Sequence, residues 1–355
     1  MPNESQRAAY RILDASANRA GEGLRTLEEY TRFVLNDTEA TGELKSIRHD
    51  LAEALSIFDR ESMLAARDTP ADVGTTIGVA TEYRRTQDAS VVAAAASRTQ
   101  QSLRVIEEYG KTINPDVSRR VEQIRYRCYT ICGQLELQAM GHRRQSQLAK
   151  AQLYVLIASG DSEEAFAATV KSLFEYGVDV LQLRDGSCDD RMLYQRALIG
   201  SRIATELNGL FIVNDRADLA VAAEADGVHI GQDELPAPQA RAILGDRRLV
   251  GVSTHTVDQV HTAVTDGADY IGCGPVFAGT TKCFDRYVGP QFLSDVHQAT
   301  KRTPLPAFAI GGITIKNVDQ VTAAGFHRIA VTGAVRDAAD TKSAIKELKQ
   351  KLVVS

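Results

Sequence analysis

Short apolar runs recur along the second part of the chain, and each run is followed by turn residues and then by a helical stretch. Nearly continuous apolar strands that alternate with helices are typical of a parallel sheet covered by helices. Eight such units fit one closed (β/α)₈ barrel, with a doubly wound open sheet as the alternative. The predicted strands are Leu153–Ala158, Val178–Leu183, Leu210–Val213, Gly227–Ile230, Leu249–Val252, Tyr270–Gly274, Leu305–Ile310 and Arg328–Val331.

The first part of the chain has a helical rhythm instead. Apolar positions from Leu24 to Val34 fall three and four residues apart, as on one face of a helix. The same part contains an internal repeat with a period near eighty residues, which is too long for a solenoid unit. The repeated segments are 18–30 with 97–109, and 46–48 with 123–125.

We therefore predict a TIM barrel of the α/β class preceded by an all-α helical bundle. The all-α domain covers residues 1–145 and consists of two repeated helical hairpins connected by residues 69–86. The barrel covers residues 151–355 and is the predicted catalytic domain. The boundary falls in a polar, poorly patterned stretch at residues 139–151.

Composition excludes several classes of protein. The chain has 355 residues and a formal net charge of −5, so it has no basic excess to offer a nucleic acid. It has no apolar run long enough for a membrane span and no secretory signal pattern at its start. Five cysteines without a CxxC spacing argue against a disulfide framework and a zinc site. We expect a cytoplasmic protein without nucleic-acid or membrane partners, and leave open whether it forms a homo-oligomer.

Polar residues collect at the ends of the predicted strands, where a (β/α)₈ barrel builds its active site. Asp215, Asp233 and Glu234 offer hard oxygen ligands without a histidine or cysteine cluster beside them, which suits Mg²⁺. Arg184 and Lys282 would face the same anion from opposite sides. This part of the rim is therefore predicted to bind an anion with the help of a metal ion.

Glycines after the seventh and eighth strands, such as Gly311 and Gly333, expose backbone N–H groups, which form the usual phosphate site of this fold. The rim thus suits one substrate with a diphosphate and another with a monophosphate. Taken singly, each element has a structural interpretation: a strand-end aspartate as a helix N-cap, paired glycines as a tight turn, and His255 as a capping residue. Their joint placement on successive strand ends favours the functional interpretation.

The motifs of the second part, in their combination and order, resemble those of the thiamine-phosphate synthase family. The resemblance covers nearly all of residues 151–355. It implies an enzyme that joins hydroxymethylpyrimidine diphosphate to a hydroxyethylthiazole phosphate and releases pyrophosphate. The motifs are QLRD (182–185), FIVNDRADLA (211–220), ADGVHIGQDE (225–234), GVSTHT (251–256), GADYIGCGPVF (267–277), TTK (280–282) and AIGGI (309–313).

The resemblance also implies roles for individual residues. It assigns catalysis to Arg184, Ser253 and Lys282, and Mg²⁺ binding to Asp215 and Glu234. The residues expected to bind the pyrimidine diphosphate are Gln182, Leu183, Arg184, Asp185, Gly186, Asn214, Ser253 and Lys282. Those expected to bind the thiazole phosphate are Gly279, Thr280, Thr281, Gly311, Thr332 and Gly333.

Three positions depart from the family pattern. Gly186 stands where the family usually has a lysine, which removes a cation from the pyrophosphate site. The order GQDE replaces GQED, so that Glu234 takes the place of the second metal-binding aspartate, with Asp233 as the alternative ligand. Gly333 stands where serine is frequent.

The implied mechanism is ionisation, in which the electron-rich aminopyrimidine stabilises a cation at its methylene carbon and no protein nucleophile is needed. Two alternatives are a related barrel that isomerises the thiazole carboxylate phosphate, and a regulatory protein that binds precursors without turnover. The helical domain has no assigned role. Arg25 and Arg104 of its repeat either face each other in a duplicated ligand site or form i,i+3 pairs with glutamates on an exposed helix face, which is the favoured hypothesis.

Overall fold

A computed structural model describes residues 4–70, 72–73, 87–279, 286–301 and 305–353. The chain divides into two compact units, Met1–Arg143 and Arg144–Ser355. Among the described residues, no helix has both the length and the apolar character that crossing a membrane requires. The first unit contains α1 Glu4–Tyr30, a π-helical turn Thr31–Leu35, α2 Thr38–Leu55, α3 Arg60–Ala66, α4 Asp88–Gly110 and most of α5 Pro115–Lys150.

The two copies of the sequence repeat make equivalent ion pairs. Glu28 on α1 accepts a hydrogen bond from Arg48 Nε on α2 at 3.0 Å, and Glu107 on α4 accepts one from Arg125 Nε on α5 at 2.7 Å. Each glutamate also pairs with the arginine three residues before it. The expected i,i+3 pairs are therefore present, but the expectation that they lie on an exposed helix face was wrong for the two glutamates. Glu28 is only 5% exposed and Glu107 only 2%. Each buried carboxylate instead ties its helix to the next one.

The second unit is a closed barrel of parallel strands in sequential order, which confirms the predicted fold class. Every predicted strand is present, with ends shifted by no more than two residues. The strands are β1 Leu153–Ile157, β2 Val180–Leu183, β3 Leu210–Asn214, β4 Gly227–Ile230, β5 Leu249–Thr254, β6 Tyr270–Cys273, β7 Ala307–Ile310 and β8 Ile329–Val331. The helices are α6 Glu163–Glu175, α7 Asp190–Leu207, α8 Ala217–Ala222, α9 Ala237–Leu244, α10 Val257–Thr265, α11 Gly289–Ala299, α12 Val318–Ala323, α13 Gly333–Arg336 and α14 Thr341–Leu352.

Alternate residues of each strand face opposite sides of the sheet, so the barrel has two apolar layers. The outer layer joins strand residues such as Leu181 and Phe211 to helix residues such as Phe166. The inner layer contains Tyr154, Tyr270 and the other strand residues of the same parity. Polar residues that alternate in step with Tyr154 and Tyr270 along the strands, which we call the inward parity, therefore point into the barrel. Those near the carboxyl ends of the strands reach the end of the barrel where this fold builds its active site.

Three aspartates, of which Asp226 is buried and the other two are half-buried, hold the opposite end of the barrel together. Asp179, Asp226 and Asp269 stand before β2, β4 and β6, and each accepts a hydrogen bond from a backbone N–H of the preceding strand. Asp226 also accepts one from Arg144 Nε at 2.8 Å. Because this end of a (β/α)₈ barrel carries stability rather than catalysis, these carboxylates are structural.

Close packing of α7 on the sheet gives a stability prediction. Gly200 lies against the buried ring of Phe211, and a Cβ at this glycine would stand 2.2 Å from the ring. We expect Gly200→Ala to lower the free energy of unfolding of the barrel by about 2 kcal/mol, since overpacking displaces a buried ring. Chemical denaturation measures this change. The double variant with Phe211→Leu should lose less than the sum of the two single losses, and full additivity would contradict the proposed clash.

Candidate active site

A cavity of about 570 Å³ lies at the carboxyl ends of the strands. Its wall combines inward-facing strand residues with the loops that follow them. The predicted site residues that line it are Gln182, Arg184, Asn214, Asp215, Glu234, Ser253, Gly279, Gly311, Thr332 and Gly333. Strand ends far apart in sequence are thus brought together around one space.

Other predicted residues lie elsewhere. Leu183 is 1% exposed and packs in the outer apolar layer, because its parity points it towards the helices. Asp185 accepts hydrogen bonds from Ser159 and Ser187, each at 2.6 Å, and these hold its pKa well below its usual range. Gly186 is exposed, and neither it nor Asp185 lines the cavity. Three predicted residues fall outside the described part of the chain: Thr280, Thr281 and Lys282.

Carboxylates form one side of the cavity. Asp215 has a left-handed backbone with φ of +61°, and its N–H donates to the carbonyl of His229 at 2.8 Å. Its carboxylate accepts a hydrogen bond from the amide of Asn214. The carboxylate of Glu234 turns back over Gly231, where a Cβ would stand 2.2 Å from Oε2. Both acids therefore face the cavity from neighbouring strand ends.

The floor of the cavity is aromatic with a polar network. Gln182 is 2% exposed, and its Nε2 donates to the hydroxyl of Tyr154 at 2.8 Å. That hydroxyl is also 3.1 Å from the hydroxyl of Tyr270. Glycine makes the room for these rings: a Cβ at Gly251 would stand 2.1 Å from the ring of Tyr270. The floor is thus an apolar surface of tilted rings with an amide at its edge.

A histidine stands between the floor and the rim. His229 Nε2 lies 3.0 Å from Ser253 Oγ. Desolvation inside the barrel, together with the positive charge of Arg184, lowers the pKa of His229 to about 4. The imidazole is therefore neutral at physiological pH. His255 also lines the cavity, where its Nδ1 pairs with the carbonyl of Gly274.

Glycine loops close the other side of the cavity. The N–H of Phe277 donates to the carbonyl of Gly311 at 3.0 Å, which ties the loop after β6 to the loop after β7. Gly311 has φ of +100°, and a Cβ there would stand 2.6 Å from Pro275. Only glycine permits this approach. Gly279 and Gly333 also line the cavity, and because they are glycines they contribute only main-chain atoms to what we call its main-chain wall.

Sequence reasoning missed Tyr154, His229 and Tyr270, which all line the cavity. They lie inside apolar strands rather than after them, so a search of strand ends passed over them. The alternation of facing along each strand gives the signal that finds them, because they share the inward parity of Gln182 and Ser253.

Comparison with known proteins shows which family the chain resembles. The family model described as thiamine monophosphate synthase matches residues 153–335, and that of the ThiD2 family matches residues 11–134. The chain is 51% identical to the thiamine-phosphate synthase of Rhodopirellula baltica, over 94% of this chain and 90% of that protein. It is 38% identical to the thiamine-phosphate synthase of Synechocystis sp., over 99% and 98%. The solved structure of thiamine phosphate pyrophosphorylase from Pyrococcus furiosus aligns with a TM-score of 0.50 and 29% identity, over 59% of this chain and 96% of that one.

Proposed function

Because the chain belongs to the thiamine-phosphate synthase family, we propose that the cavity of its barrel is the place where thiamine phosphate is formed. The enzyme is a transferase of thiamine biosynthesis that joins a pyrimidine to a thiazole phosphate. The methylene carbon of the pyrimidine passes from its diphosphate to the thiazole nitrogen, and pyrophosphate leaves. The observation that supports this proposal best is that two kinds of anion site line one cavity. Carboxylates, an amide and an arginine form one side and glycine main chain forms the other, which suits two substrates with separate anionic groups.

The donor set on the first side fits Mg²⁺. Asp215 and Glu234 supply two carboxylates, and Asn214 adds an amide, so hard oxygen ligands prevail. Mg²⁺ usually takes its remaining ligands from water and substrate phosphate, so two carboxylates are enough. Bound there, Mg²⁺ would supply Lewis-acid neutralisation of the diphosphate. Glu234 is the proposed second ligand because its carboxylate turns back towards the end of β4.

The floor is the proposed place for the pyrimidine ring. Tyr154 and Tyr270 offer an apolar surface for a flat heterocycle, and the amide of Gln182 stands at its edge. A ring in this position would direct its methylene carbon and diphosphate towards Arg184 and Ser253 at the rim. The bond between the methylene carbon and the leaving oxygen would then break where a cation and a hydroxyl can take up the developing negative charge.

The main-chain wall is the proposed place for the thiazole phosphate. Backbone N–H groups beside Gly279, Gly311 and Gly333 can donate to phosphate oxygens without a charged side chain. Holding this phosphate orients the thiazole nitrogen towards the methylene carbon of the pyrimidine. Such orientation can supply several kcal/mol of the barrier, so no protein nucleophile is required.

Incubation of the full chain with both precursors and Mg²⁺ tests the proposal. We expect pyrophosphate and thiamine phosphate to appear in equal amounts. Turnover of the thiazole carboxylate phosphate without pyrophosphate release would favour the isomerase alternative. Binding of a precursor, by calorimetry, without any product would favour the regulatory alternative.

Gly186 gives a gain-of-function prediction. A Cβ at this exposed glycine would meet no atom within 4 Å, and the backbone requires no positive φ. Gly186→Lys should add a cation near Arg184 and raise kcat/KM for the pyrimidine diphosphate by up to about fivefold, the effect of about 1 kcal/mol from an exposed charge pair. Steady-state kinetics at low ionic strength measures this. Gly186→Ala is the control for backbone effects, and an equal gain in that variant would contradict the role of charge.

A further inference from the structure

We propose that His229 is a positioning residue, which donates a hydrogen bond to the Ser253 hydroxyl and thereby keeps the hydroxyl proton available for the leaving diphosphate. This inference rests on the proposed function and names a residue whose role neither the motifs nor the strand ends assigned. It begins from the 3.0 Å contact between His229 Nε2 and Ser253 Oγ. What the contact does depends on which atom carries the proton.

The surroundings of the imidazole decide its tautomer. Nδ1 is buried, and among the described residues it has no hydrogen-bond partner. A proton on Nδ1 would leave a donor unpaired inside the barrel, and unpaired buried donors are rarer than unpaired acceptors. The ring therefore carries a proton on Nε2, which makes it the donor to Ser253.

The consequence for Ser253 follows from the capacity of a hydroxyl group. A serine hydroxyl has one proton to donate and two lone pairs to accept with. In the opposite tautomer, Ser253 would donate its only proton to the imidazole. With the proton on Nε2, Ser253 accepts instead, and its own O–H is directed into the cavity that it lines. Negative charge develops on the diphosphate as the carbon–oxygen bond breaks, and a fixed O–H stabilises that charge.

The backbone of Ser253 is held in place, so the freedom that remains lies in its side-chain torsions. Its backbone belongs to the β5 ladder in register with Gly272, and its carbonyl accepts a hydrogen bond from Gln232 Nε2 at 2.5 Å. The His229 ring is held as well, since it lies 5.5 Å from the Tyr270 ring and a Cβ at Gly272 would stand 3.3 Å from its Cε1. A donor that is held in place thus acts on a serine whose backbone is held in place.

Two amide variants separate positioning from packing. In His229→Gln, the side-chain nitrogen can reach the place of Nε2 and donate to Ser253. In His229→Asn, the shorter amide matches Nδ1 and cannot reach. We expect kcat of H229N to fall about 30-fold, less than the 10²- to 10³-fold that follows outright loss of a donor to developing charge. The KM for the thiazole phosphate should not change, and H229Q should stay within about threefold of the natural chain.

A double-variant cycle links the effect to Ser253. H229N should lower kcat in the natural chain but cause no further loss in the Ser253→Ala background, because the group that it positions is absent there. An equal loss in both backgrounds, or equal losses in H229N and H229Q, would overturn the proposal. Thermal unfolding of each variant identifies any that do not fold.

The tautomer is measured independently of turnover. In full chain labelled with ¹⁵N-histidine, the signals absent from H229N assign the His229 ring, and their shifts report which nitrogen is protonated. We expect protonated Nε2, and protonated Nδ1 would overturn the inference even in an active enzyme. A natural chain that forms no thiamine phosphate would refute the proposed function instead, with the tautomer result still standing.

Discussion

Asp215→Asn is expected to slow thiamine phosphate formation by about 10³-fold. The change keeps the shape of the side chain and removes the anionic oxygen proposed to hold Mg²⁺, whose Lewis-acid contribution is several kcal/mol. Asparagine is the right replacement because Asp215 has φ of +61°, a conformation that asparagine accepts and alanine accepts poorly. Initial rates are measured against Mg²⁺ concentration. We expect a lower maximal rate and weaker apparent binding of Mg²⁺.

Metal removal and a matched pair of variants complete this test. EDTA should stop product formation by the natural chain, and excess Mg²⁺ should restore it. Glu234→Gln should weaken the apparent binding of Mg²⁺. Asp233 lies on the same exposed loop, and Asp233→Asn should change this binding little. The reverse result would make Asp233 the second ligand. An undiminished rate in EDTA, or in Asp215→Asn, would remove the metal from the proposed mechanism.

The fold was predictable because its signal is repeated. Each of the eight strands is a short, largely buried apolar run, and a helix follows each of them, so errors of one or two residues at strand ends did not change the topology. The helical unit was predictable for the same reason, since its repeat places Glu28 and Glu107 in equivalent contacts. Burial of those acids was not predictable, because one of the arginines that bind each acid belongs to another helix.

The candidate site was predictable where chemistry sits at strand ends and not where it lies within strands. Asp215 and Arg184 follow apolar runs and were found by position alone. His229 and Tyr154 belong to apolar runs, and their inward direction depends on the register of the closed barrel. Leu183 shows the converse: it belongs to the QLRD motif, but its parity places the side chain outside the barrel. Parity along the strand therefore distinguishes cavity residues from packing residues better than membership of a motif.

Arg184→Met is expected to lower kcat/KM for the pyrimidine diphosphate by about 10² to 10³-fold. Among the described residues, Arg184 is the one arginine or lysine that lines the cavity. The cavity wall also carries the carboxylates of Asp215, Asp233 and Glu234. Since the leaving diphosphate gains charge in the transition state, loss of a nearby cation costs more there than in the ground state. Arg184→Lys keeps the charge but loses the planar pair of donors, and we expect an intermediate loss of about tenfold.

Kinetics for the two substrates distinguish this role from a general effect of charge. The KM for the thiazole phosphate should stay unchanged in Arg184→Met, because that substrate is proposed to bind the main-chain wall. Arg191→Met is the matched control: this exposed arginine on α7 does not line the cavity, and its loss changes the net charge equally. A comparable loss in Arg191→Met would indicate long-range attraction of anionic substrates, which salt would suppress. A loss confined to Arg184→Met and persistent at high salt would place the cation at the leaving group, where ionisation of the pyrimidine diphosphate requires it.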